Sequence, residues 1–319
     1  MQLQQLASAL SVISQSNYDR AIIYSRQLGS FKIIMPASSQ SPIISVAALK
    51  LLLASNEVVV VDCRFDLLEP AAGKAQWQRS RIPGARYADL DKDLAAAESP
   101  DSGRHPLPDE QLLSARLGSW GITPETQVVV YDAAGGAIAA RLWWLLRWLG
   151  HERVAVLDGG WQAWRDSEAV ASEAPTALRD LGAYRGTPNS MPTVSTKAIE
   201  SMDFASHILL DARDALRFAG KVEPIDPVKG HIPRATNLPF QSLLGSSGHF
   251  LALSDLRQQF ASIGYTQGAA VTCMCGSGVT ACHLILAAEL AGLGVPALYV
   301  GSWSEWIRND DHPVAEVEL

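Results

Sequence analysis

Four cysteines in 319 residues are too few for the disulfide framework of a secreted scaffold. Zinc spacing is also missing: one residue separates Cys273 from Cys275, and no second pair follows. Basic residues are outnumbered, with 26 Lys and Arg against 33 Asp and Glu. The net charge of −7 and the lack of a basic stripe exclude a nucleic-acid face. No apolar run reaches the roughly 18 residues that a membrane span needs. What remains is a chain with 48% hydrophobic and 18% charged residues, long enough for two domains with sizeable cores. No metal or cofactor motif stands out, and a reducing, cytoplasmic setting suits the free thiols.

An internal repeat is legible by eye. Val58-Val59-Val60-Val61-Asp62-Cys63-Arg64 matches His207-Ile208-Leu209-Leu210-Asp211-Ala212-Arg213. Ile82-Pro83-Gly84-Ala85 matches Ile232-Pro233-Arg234-Ala235, and the run ending at Asp132 matches the run ending at Cys275. Leu157 to Trp164 matches Tyr299 to Trp306. Four landmarks in one order at nearly constant spacing make the chain a duplication. Each copy alternates apolar β-rich runs with helical patterns, which implies an α/β fold with mostly parallel sheets covered on both faces. Strands are expected near 58–62, 128–131 and 153–157, then near 208–211, 270–274 and 297–300. The stretch 139–149, with three tryptophans, reads as a buried helix.

Residues 1–41 stand outside the repeat as an N-terminal extension, with a short helix expected near Leu6–Ile13. The extension is expected to be poorly ordered apart from that helix; an organelle-targeting leader, or sequence before a natural start at Met35, are the alternatives. The first domain spans 42–171. A Pro- and Gly-containing linker occupies 172–192, and the second domain spans 193–319.

The most informative segment is Val271 to Cys282. A short apolar strand ends at Cys275, Gly276-Ser277-Gly278-Val279-Thr280 follows, and a helical pattern begins at Ala281. Glycines let successive backbone N–H groups turn toward one spot, and the helix aims its positive end there. A thiol so held ionises readily, and the thiolate is the reactive form. Cys273 and Cys282 fit packing instead. In the first copy Asp132 takes the place of Cys275, so only one copy carries a nucleophile and the cleft is expected between the domains.

Cys-Gly-Ser-Gly-Val-Thr, together with Gly301-Ser302-Trp303-Ser304-Glu305-Trp306, resembles the rhodanese family, specifically its two-domain sulfurtransferases. The resemblance covers about residues 42 to 315 and implies two tandem rhodanese-like domains, each a mostly parallel sheet flanked by helices. The Gly-Ser-Gly loop is more similar to 3-mercaptopyruvate sulfurtransferases than to thiosulfate sulfurtransferases, which carry a basic residue after the cysteine. The resemblance implies that Cys275 takes sulfur from a donor as a persulfide and passes it to a thiol, cyanide or a thioredoxin-like acceptor. It also implies that Gly276, Ser277, Gly278, Val279, Thr280 and Arg217 bind substrate, with no cofactor, metal, nucleic acid or membrane partner. Thiosulfate as donor, and a persulfide carrier serving a protein partner, are the alternatives. A cysteine phosphatase would need an arginine where Ala281 stands.

Several residues leave two readings open. Ser277 either bonds the substrate or thiolate or serves its own turn. Thr280 either belongs to the site or caps the next helix. Arg213, repeated as Arg64, reads as a structural brace through a buried ion pair. The resemblance implies a histidine at position 81 and an arginine at position 225, but the chain has Arg81 and Ile225. Arg81 could place positive charge at the cleft. His105 either compensates from a cleft loop or is merely solvated. His231 is expected to pack its loop, and Trp161, Trp164, Trp303 and Trp306 to pack at equivalent places in the two copies.

Overall fold

Runs of β-branched and other apolar residues, four or five long, form the longer strands of both sheets, because such residues pack well on a pleated surface covered on both sides. The computed structural model describes residues 23–27, 30–34, 41–55, 58–167, 171–172 and 182–317. In chain order its strands are β1 (Ile23–Gln27), β2 (Ser30–Ile34), β3 (Ile43–Ile44), β4 (Val58–Asp62), β5 (Arg86–Tyr87), β6 (Gln127–Tyr131), β7 (Val154–Leu157), β8 (Thr193–Val194), β9 (His207–Asp211), β10 (Thr236–Asn237), β11 (Ala270–Met274) and β12 (Ala297–Tyr299). Two five-stranded sheets result, ordered β3-β7-β6-β4-β5 and β8-β12-β11-β9-β10. Every pairing within them is parallel. The strand order and the position of each strand repeat, as the duplicated sequence implies.

The central strands fix where the loop of each domain begins. Asp62 pairs with Tyr131 in the first sheet and Asp211 with Met274 in the second. Asp132 and Cys275 therefore leave their sheets at equivalent points. The helices Ala139–Trp148 and Ala281–Leu290 come next, and they pack against one another between the sheets. Both are buried almost all round, so each needs apolar partners on every face. Trp143, Trp144, Leu284 and Ile285 accordingly belong to one continuous core running through both domains. Smaller clusters around Trp161 and Trp303 cover the outer faces of the two sheets.

The brace expected at Arg213 is present in both copies. Arg64 bonds both carboxylate oxygens of Asp62 and the carbonyl of Ser80, and lies 4.5 Å over the Trp161 ring. Arg213 does the same with Asp211, Gly230 and Trp303, at 4.7 Å. A pair this buried is tolerated because both carboxylate oxygens, a backbone carbonyl and an aromatic face share the guanidinium.

The extension contains an antiparallel hairpin, β1 with β2, that lacks a clear sequence signal. The helix expected near Leu6–Ile13 lies outside the described residues. The described second half of the expected linker runs along the first domain. Tyr184 N–H donates to Ser114 O, Thr187 N–H to Leu149 O and Ser190 N–H to Trp148 O, and Tyr184 and Met191 are buried. No helix among the described residues is long and apolar enough to cross a membrane.

Burial pulls His105, His151 and His283 down to about 4. Unfolded, each binds a proton below about 6.5. The unfolded chain therefore holds more protons between these values. Stability should be complete above that window and fall as pH drops through it, by ~2 kcal/mol per histidine near pH 5. Urea unfolding at pH 7.5 and at pH 5 measures the loss, and His283→Gln should make the decline shallower by about one proton's worth.

Candidate active site

Cys275 is the first residue after β11, and the turn into the helix Ser302–Trp306 pins it there. Its N–H donates to Ser302 Oγ at 3.1 Å, and its carbonyl accepts from Trp303 N–H at 3.0 Å. The next carbonyl, Gly276, accepts from Ser304 N–H at 2.8 Å. Ser302 adopts φ of +53°, the same value as Gly160 in the first copy. A non-glycine residue in this left-handed region costs roughly 1 kcal/mol or more. The serine offsets part of that cost with its hydroxyl, which also donates to Tyr299 O at 2.9 Å. Gly278, at φ +75°, has no such freedom: a Cβ there would lie 2.4 Å from Val300 O.

The two copies show what the loop is built to hold. In the first, the Asp132 carboxylate accepts from the N–H groups of Ala134, Gly136, Ile138 and Ala139 at 2.8–2.9 Å. That loop supplies its own anion. In the second, no carboxylate follows the strand, and among the described residues the N–H groups of Gly276 through Ala281 have no acceptor. Buried amides without partners are rare and costly. Gly276, Ser277, Gly278 and Val279 are buried here, so the loop is matched to an anion on or beside Cys275. Thr280, half-buried, stands at the N-cap position of the helix, but its side chain makes no capping bond, and its amide belongs to the loop.

The first domain closes the site. Its segment 98–108 lies over the loop, so close that a Cβ on Gly103 would sit 2.5 Å from Gly301 O. Arg104 N–H donates to Ser304 Oγ, and its guanidinium pairs with Asp226. Arg217, one turn after β9, bonds Glu223 through both carboxylate oxygens and Asp226 at 3.1 Å. Both guanidiniums flank Gly276: a Cβ there would lie 3.0 Å from Arg104 Nη2 and 3.6 Å from Arg217 Nη2. A mouth of about 430 Å³, lined by Glu98, Arg104, Asp226 and Arg308 among others, opens beside them.

His105 is buried, not solvated. Nδ1 lies 2.7 Å from Ser277 Oγ, and Nε2 lies 3.2 Å from Asp91 Oδ1. Burial first, then Arg141 and Arg104, bring its pKa to about 4, so the ring is neutral near neutrality. One ring nitrogen donates and the other accepts. Asp91 is nearly half-exposed and lines a surface cavity of about 600 Å³, so the chain Ser277–His105–Asp91 links the cleft to solvent. The expectation that Arg81 supplies charge at the cleft fails. Its guanidinium donates to Trp77 O and stacks 4.4 Å over that ring within its own domain. His231 repeats that placement in the second copy, bonded to Phe218 O and stacked on its ring. The residue before Ile-Pro packs on the preceding helix in both copies, out of reach of the loop.

All four cysteines are free and buried. Burial raises the Cys63 and Cys273 thiols well above their ordinary range and lifts Cys282 to about 12, so these stay protonated. Sequence reasoning missed Arg104, Asp91, Glu223, Asp226, Ser302 and Ser304. Arg104, adjacent to His105 in a candidate cleft loop, and Ser302 and Ser304, inside the Gly301–Trp306 stretch, carried a sequence signal; Asp91, Glu223 and Asp226 did not.

Comparison with known proteins matches the rhodanese-like domain to residues 45–167 and again to 195–309. The "Probable 3-mercaptopyruvate sulfurtransferase" of Pseudomonas aeruginosa is 42% identical over 283 residues, covering 87% of this chain and 99% of that protein. A thiosulfate sulfurtransferase of Gallus gallus is 32% identical, covering 78% of this chain and 86% of that protein. The solved 3-mercaptopyruvate sulfurtransferase from Leishmania major superposes with a TM-score of 0.73 at 30% identity, covering 83% of this chain and 74% of that one.

The filled loop of the first copy yields a test. Asp132→Ala would strand four N–H groups, those of Gly136, Ile138 and Ala139 buried and that of Ala134 partly so. It should cost at least about 3 kcal/mol in urea unfolding, while Cys275 in the folded fraction keeps its reactivity toward alkylation.

Proposed function

The chain belongs to the rhodanese family and is a sulfurtransferase, and from that premise we propose that it moves sulfur from 3-mercaptopyruvate to a thiol or cyanide through a persulfide on Cys275. One observation carries this reading: a buried strand-end cysteine meets six unpaired loop amides with two guanidiniums alongside. The first domain, residues 42–171, shapes the cleft, and the second, 193–319, carries the nucleophile.

The Cys275 thiolate attacks the donor sulfur. The sulfur–carbon bond breaks, and its electron pair goes to the departing carbon as the enolate of pyruvate, which then takes a proton. Loop amides stabilise the negative charge on the persulfide. Ser277 lies at the inner end of the histidine chain, positioned to bond the carbonyl oxygen as it gains charge, while His105 and Asp91 carry the proton between cleft and solvent. An acceptor thiolate then attacks the outer sulfur. The sulfur–sulfur bond breaks and Cys275 leaves as thiolate, completing a ping-pong cycle. A reducing cytoplasm would supply such acceptors, small thiols or a thioredoxin-like protein among them.

Arg217 binds the donor carboxylate in this scheme. Ile225 stands where the resemblance implies a second arginine, and Arg104 of the first domain supplies that charge across the cleft. Both cations are shared with Glu223 and Asp226, so the four side chains balance. A balanced cluster beside the neutral residues Gly276 and Ser277 suits a monoanionic donor better than the thiosulfate dianion.

Steady-state kinetics should accordingly give a higher kcat/KM for 3-mercaptopyruvate than for thiosulfate. Arg217→Ala and Arg104→Ala should each raise KM for mercaptopyruvate about tenfold, as expected for loss of a charged hydrogen bond. A clear preference for thiosulfate would overturn the donor assignment and leave sulfur transfer standing.

A further inference from the structure

Each domain extends the third residue of its interface helix beneath the other domain's loop. In Ala139–Trp148 that residue is Arg141, and in Ala281–Leu290 it is His283. Arg141 Nη1 donates to Gly278 O at 3.2 Å, and His283 Nε2 lies 3.1 Å from Gly135 O. The crossing is symmetric, but the charges are not.

Arg141 is completely buried, and its guanidinium is a permanent cation. Its other donors reach the carbonyls of His105 at 3.1 Å, Pro106 at 3.4 Å and Leu94 at 3.4 Å. Among the described residues no Asp or Glu pairs with it. Burial draws its pKa down from the ordinary value, and the groups that draw it back are the sulfurs of Cys282 and Cys275. Cys282, with its pKa lifted to about 12, stays a thiol. A buried cation without a counter-ion is costly, and carbonyl dipoles offset only part of that cost. His283 faces no such demand. Burial lowers it to about 4, so it is neutral, and it lies beneath a loop whose anion, Asp132, already has four N–H partners.

We infer that Arg141 is a positioning residue of the sulfur-transfer site: a buried cation lent by the non-catalytic domain, which holds the loop at Gly278 and favours the anionic forms of Cys275. This rests on the assignment of Cys275 as the nucleophile. Arg104 and His105 of the first domain, Arg217, Glu223 and Asp226 of the second, Cys273 on β11 and Cys282 on the helix are the other titratable or charged groups around the loop. Arg104 and Arg217 differ from Arg141 in two respects: both are partly exposed at the mouth, and both are paired with carboxylates. Solvent and those partners screen them, whereas Arg141 acts through a dry interface.

The test is the pH dependence of Cys275 alkylation by iodoacetamide in the full chain, read by peptide mass. Arg141→Gln should raise the midpoint by about one pH unit or more. Arg141→Lys keeps the charge without the fork and should hold the midpoint within about 0.3 unit of the unsubstituted protein. His283→Gln should leave it unchanged. An unshifted midpoint in folded Arg141→Gln, or Arg141→Lys displaced as far as Arg141→Gln, would overturn the inference. If Arg141→Gln does not fold, Arg141→Lys decides alone: a held midpoint supports the charge role, and a rise of about one unit removes it. Failure of the underlying nucleophile assignment looks different, as sulfur transfer that persists in Cys275→Ser.

Discussion

The ring of unpaired amides from Gly276 to Ala281 is the constraint around which the rest of the molecule is arranged. A backbone that turns its N–H groups inward without an internal acceptor is unstable unless something else holds its shape. Here the shape is held from outside the loop. Ser302, Trp303 and Ser304 fix its first residues from the end of β12, and Gly103, Arg104 and Arg141 close it from the other domain. The first copy shows the simpler solution to the same backbone problem: Asp132 satisfies four amides and leaves nothing to react.

Duplication makes this division of labour possible. A single domain would expose the helix after its loop, and that helix is buried almost all round and mostly apolar. Packing two copies so that these helices meet buries both in a shared core. It also brings each loop under side chains of the other copy. The two loops differ in what they hold. One has an anion of its own over a neutral histidine, and the other has a cysteine, an arginine without a carboxylate partner below it and two paired arginines beside Gly276.

Much of this was legible in the residue order. The duplication, the parallel sheets, the place of Cys275 at a strand end and the Asp62–Arg64 and Asp211–Arg213 braces all rest on contacts local in sequence or repeated in it, so patterns reveal them. The cross-cleft contacts were not legible. Arg104 and Asp226 are 122 positions apart, and His105 and Ser277 are 172 apart. No periodicity encodes such a pairing. The expectation for Arg81 failed for the same reason, because it placed charge at the cleft through a resemblance while the residue's own neighbours, Trp77 and Gln78, hold it elsewhere. One signal was available for Arg141. A charged residue in the first turn of a mostly apolar, tryptophan-rich helix, aligned with His283 in the second copy, stands out from the pattern around it.

The central claim is that the loop exists to hold sulfur on Cys275 as an anion. Its most direct test is the mass of the protein after treatment with 3-mercaptopyruvate in the absence of any acceptor, with fragmentation to locate the added mass. The account predicts one additional sulfur atom on Cys275, removed by cyanide or a thiol and absent from Cys275→Ser. Sulfur found on Cys273 or Cys282 instead, or sulfur retained in the Cys275→Ser protein, would contradict it.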